Sequence, residues 1–100
     1  MKNLRINVLR NLQFDNQWEN FRVHFERVHP SFFTRLKEKS SELSTNDLRH
    51  CAYIKMGLKR SEIAHLLNII PKSVQISRIR LKKKLQIPQS SDLMEFITNL

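Results

Sequence analysis

Ser61-Glu62-Ile63-Ala64-His65-Leu66-Leu67-Asn68-Ile69-Ile70-Pro71-Lys72-Ser73-Val74-Gln75-Ile76-Ser77-Arg78-Ile79-Arg80-Leu81-Lys82-Lys83-Lys84-Leu85 reads as two helices separated by one short break. Ile63, Ala64, Leu66 and Leu67 fall on one side of a helix that starts at Ser61 or a neighbour. Asn68-Ile69-Ile70-Pro71 is the turn, because proline at a first helical position pre-sets the backbone of the helix that follows. That second helix, Pro71 to Leu85, carries Val74, Leu81 and Leu85 along one edge and ends before Pro88. Ala64 is small enough for the second helix to cross the first closely.

Working upstream, the spacing predicts a helix from about Thr45 to Met56 that buries Leu48, Cys51, Ala52 and either Ile54 or Met56. Gly57 supplies its left-handed end, and Ser40 to Asp47 is a polar connector with several N-cap candidates. Phe14, Trp18, Phe21, Phe25, Val28 and Phe32 recur every three or four residues, which predicts an aromatic helical seam. Such a seam can pack within the chain or against a second copy. Pro30 suits the first turn of a further helix, Ser31 to Lys39. Downstream, Ser90-Ser91-Asp92 caps a last helix bearing Leu93, Phe96, Ile97 and Leu100. One glycine, three prolines and no sustained alternation of apolar and polar residues make the expected fold all-α. Residues 1–42 form an amphipathic helical segment for packing or dimerisation, and residues 43–100 a second unit.

Charge separates these parts. The chain of 100 residues holds 18 Lys+Arg against 9 Asp+Glu, a net +9. Between His50 and Gln86 stand nine basic residues and one acid, Glu62, so a net +8 sits in that block alone. A concentrated positive block points to a polyanionic partner. Two short helices, a tight turn and a strongly basic following helix are the architecture in which one helix enters the DNA major groove.

The same residues resemble a family, the LuxR-type or GerE-like helix-turn-helix. The resemblance is carried by Leu43-Ser44-Thr45-Asn46-Asp47-Leu48, by Gly57 through Ile69 with its Glu62-Ile63-Ala64 core, by Lys72-Ser73-Val74, and by Lys84-Leu85. It covers about residues 43 to 100. The wider chain, with Trp18-Glu19-Asn20-Phe21 and His29-Pro30-Ser31-Phe32-Phe33, is similar to the C-terminal regions of a group of Bacteroidetes sensor-regulators. The resemblance implies a bacterial, cytoplasmic transcription regulator with a LuxR/GerE-like bundle preceded by an amphipathic helical segment. It implies double-stranded DNA and a second copy as partners; RNA polymerase is a further candidate partner in the sigma-factor-like alternative. The family's last helix commonly forms the dimer contact, here Leu93, Phe96, Ile97 and Leu100. Two departures matter. The usual Thr-Val-Lys-x-His becomes Ser73-Val74-Gln75-Ile76-Ser77, so base preference does not transfer, and the family's Arg-Glu pair becomes Asn46-Asp47.

Roles on the basic helix follow from side-chain chemistry. Gln75 can make a bidentate contact with adenine, and Ile76 and Ile79 either pack on thymine methyl groups or belong to the core. Arg78 and Arg80 can reach DNA, and Arg78 can instead pair with Asp47 or Glu62. Lys59, Arg60, Ser61, Lys72 and Ser73 flank helix starts and suit phosphate oxygens, as do Lys82 and Lys83. The lone Cys51 forms no intramolecular disulfide, and the histidines lack zinc-ligand spacing, so neither metal nor cofactor is expected. No nucleophile motif or phosphate-cradling glycine loop is present, which argues against an enzyme, and no membrane partner is expected. Two rivals remain: a helical adaptor docking a partner protein through the aromatic seam, and a sigma-factor-like promoter-reading module.

Overall fold

The computed structural model describes residues 17–88 and 90–100, and every regular element among them is helical. Residues 17–28 are the described part of α1; α2 spans Phe32–Lys39, α3 Thr45–Lys55, α4 Arg60–Leu67, α5 Pro71–Lys84 and α6 Leu93–Thr98. Two compact units divide at Ser31 and Phe32. The second unit therefore begins ahead of residue 43 and includes α2, whose Phe32, Phe33 and Leu36 are buried. Pro30 stands in a turn ahead of α2 rather than in its first turn, and Ser31 takes φ 67° there.

Within the first unit, Trp18 and Phe21 stack at 5.8 Å and Phe21 and Phe25 at 5.7 Å, while Phe25 and His29 meet tilted at 4.8 Å. Spacings of three and four residues place these rings on one side of α1. Val28 is exposed, so the seam does not continue through it. Phe14 lies outside the described residues.

In the second unit α3 packs on both α4 and α6, and α4 packs on α5. Because it has neighbours on two sides, α3 buries Leu48, His50, Cys51, Ala52, Tyr53 and Ile54, more of its circumference than a single apolar stripe provides. Met56 is exposed, which leaves Ile54 as the core residue of the two. On α4 the buried pair is Ile63 and Ala64, whereas Leu66 is exposed. α6 is tied down at its C-terminal end, where Lys55 Nζ donates to the Thr98 carbonyl at 2.6 Å and Arg35 Nη1 to the Leu100 carbonyl at 2.7 Å. Cations there satisfy carbonyls that the helix leaves unpaired and complement its dipole.

Three helix ends close in the same way. Leu58 and Gly57 N–H donate to Tyr53 and Ile54 carbonyls after α3, Ile69 and Asn68 to Ala64 and His65 after α4, and Ile87 and Gln86 to Lys82 and Lys83 after α5. This paired pattern is the Schellman motif, and it needs a left-handed residue at its centre. Gly57, Asn68 and Gln86 occupy those centres with φ 80°, 57° and 56°. Glycine accepts that conformation freely and asparagine tolerates it, but glutamine carries the steric cost of its Cβ.

Two substitutions should therefore shift stability in opposite directions. Gly57→Ala should destabilise the fold by about 1 kcal/mol even though its Cβ would meet nothing within 4 Å. Gln86→Gly should stabilise it by roughly 0.5 kcal/mol or more. Denaturant midpoints at unchanged slope check both.

Candidate nucleic-acid interface

α4 is followed by the three-residue turn Asn68-Ile69-Ile70, after which the basic helix α5 packs back on α4. Ala64 on one side and Val74, Leu81 and Leu85 on the other are all buried. Glu62 Oε1 accepts the Lys59 N–H at 2.9 Å at the start of α4. Lysine has no acceptor, so only this half of a capping box exists and the remaining amides of the first turn have no side-chain cap.

The C-terminal end of α5 is held electrostatically. Ser44 Oγ accepts the Asp47 N–H at 3.2 Å, and Asp47 Oδ2 accepts both the Ser44 N–H at 2.9 Å and Lys84 Nζ at 2.6 Å. One carboxylate thus caps α3 and anchors the last turn of α5. Burial alone would push the Asp47 carboxyl up, but Lys84 and the Ser44 donors outweigh it and hold the group below its ordinary value. Asp47, beside Asn46 at the start of α3, is thus one half of an ion pair with Lys84.

Arg78 pairs with neither Asp47 nor Glu62 among the described residues. Its Nε is buried without a hydrogen-bond partner. Burial first, then the nearby Arg60 charge, lower its pKa, with Asp92 opposing. His50 of α3 is only 2% exposed, and its Nε2 also lacks a partner. Burial, reinforced by Arg78 and opposed by Asp47, pushes the imidazole down to about 4, so it is neutral at pH 7. Buried Cys51 is pushed up to about 12 and is no nucleophile at neutral pH.

α5 carries no acid: Lys72, Arg78, Arg80, Lys82, Lys83 and Lys84 are its only charged residues. Gln75 is exposed, and Ile76 and Ile79 are 47% and 57% exposed, so neither isoleucine belongs to the core. Lys59, Arg60, Ser61, Lys72, Arg80 and Lys83 are exposed, with Ser73, Arg78 and Lys82 half-buried. The four residues expected on a dimer face are divided. Leu93 and Ile97 are buried in the chain, where α6 packs on α3, and only Phe96 and Leu100 keep part of their surface in solvent.

No family model, curated protein or solved structure matches this chain. Among the described residues no helix is long and apolar enough to cross a membrane, and no three metal-ligating side chains gather.

His50 sets the pH dependence of this packing. Its folded pKa, about 4, lies below the ordinary 6.5, so the unfolded chain binds the proton first as pH falls. Stability should be full above pH 6.5 and decline toward pH 4, with roughly 2 kcal/mol lost between pH 7 and pH 5. His50→Leu should flatten that interval in urea titrations at the two pH values.

Proposed function

We propose that this chain binds double-stranded DNA sequence-specifically and acts as a transcription regulator, with α5 in the major groove and α4 above the backbone. The observation that carries the reading is α5 itself. A helix of 14 residues is pinned along one edge by Val74 and Leu81, has no acidic residue, and leaves its opposite face in solvent. The like charges of an acid-free basic helix repel one another, a cost that a polyanion removes.

Lys59, Arg60, Ser61, Lys72, Ser73, Lys82 and Lys83 supply phosphate contacts in this reading, and Gln75, Ile76 and Ile79 supply base contacts. Arg80 extends the cationic face. The resemblance of residues 43–100 to the LuxR-type module points the same way. A second copy would pair through Phe96 and Leu100 rather than through the buried Leu93 and Ile97.

Duplex affinity, followed by fluorescence anisotropy, should fall about a thousandfold between roughly 50 and 200 mM salt if some six phosphates are neutralised. Lys83→Ala should weaken all duplexes by a similar factor, whereas Gln75→Ala should relax preference at one position. A chain that enriches no sequence from a random duplex pool at moderate salt is not a sequence-specific DNA-binding protein.

A further inference from the structure

We propose that the target is read through thymine C5-methyl groups, by a stripe of α5 made of Lys72, Ile76, Ile79 and Lys83. This rests on the duplex-binding reading above and names the base chemistry that the site selects.

Successive helical residues turn by about 100°, so positions separated by four, three and four residues line up on one side. Lys72, Ile76, Ile79 and Lys83 have that spacing, on the side opposite Val74 and Leu81. All four are exposed. The line that faces farthest from the core is thus apolar in the middle and cationic at both ends.

The two lysine Cα atoms stand about 16 Å apart along the axis at 1.5 Å per residue. The B-DNA major groove is about 12 Å wide. Ammonium groups on long flexible stems can reach the phosphates on either side while the isoleucines stay over the base edges between them. The major groove offers those isoleucines one apolar group, the thymine methyl. Over guanine or cytosine they would strip water from donors and acceptors and return no hydrogen bond.

Two neighbours support the assignment. Gln75, on the flank of the stripe, matches adenine, the base paired with thymine. Ile79 also lines a shallow depression with Lys82, Lys83 and Ile87, which extends the apolar surface beside a cationic rim. Charge complementarity favours a duplex over a protein groove as the occupant, because every charged residue of α5 is basic.

The test uses the full chain. Duplexes selected from a random pool are resynthesised with uracil in place of thymine, which removes only the methyl groups. Each contacted methyl should be worth about fourfold in affinity, on the order of fifteenfold for two. Ile76→Ala and Ile79→Ala, both at exposed positions, should each shrink the thymine-to-uracil ratio, while Lys83→Ala should weaken both forms equally. Equal affinity of the wild-type chain for thymine and uracil duplexes would overturn the methyl assignment and leave DNA binding standing. Selection of G·C-only sites would do the same. Failure to bind any duplex would overturn both readings.

Discussion

The burial of one edge of α5 is the constraint on which the rest of this structure depends. Val74, Leu81 and Leu85 are the only buried side chains on or capping a helix that otherwise carries six cations. Fully burying a Val or Leu side chain is worth about 1.5–3 kcal/mol, so this narrow edge can hold a helix whose six cations repel one another. α4, which packs on α5 and buries Ile63 and Ala64, provides the seat. The opposite face is then exposed as a direct consequence of the anchored one.

Polar groups around that seat are used unevenly. Asp47 serves twice, as the cap of α3 and as the partner of Lys84, which couples the start of one helix to the end of another. The pair is partly solvent-exposed, so its value lies more in fixing the register of α5 than in raw stability. His50 and Arg78 run the other way. Each keeps a buried nitrogen without a partner, and an unmet buried donor or acceptor costs about 1–3 kcal/mol. The neutral imidazole lessens the cost, since a second cation beside Arg78 would be worse.

Much of the second unit was legible because its signals are local. The turn Asn68-Ile69-Ile70, the start of α5 at Pro71, the left-handed Gly57 and the Asp92 cap of α6, whose side chain accepts the Met94 N–H at 2.9 Å, each depend on a few neighbouring residues. The alternative left open for Ile76 and Ile79 was not local. As large apolar side chains on a basic helix they suit either core or groove, and only the packing of α4 along the opposite edge leaves them in solvent. His50 and Tyr53 were missed for the same reason. Burial of α3 on more than one side comes from its partners α4 and α6, and no apolar periodicity within Thr45–Lys55 announces it.

The sequence by itself determined the helical class, the break before Pro71 and the concentration of positive charge on α5, because propensity, proline geometry and charge belong to residues individually. Tertiary structure decided which carboxylate meets Lys84, that Leu93 and Ile97 belong inside while Phe96 and Leu100 keep exposed surface, and that α2 joins the second unit. Those outcomes depend on which surfaces compete for burial across tens of residues. An amphipathic pattern says that a face will be covered, and only the packed chain says by what.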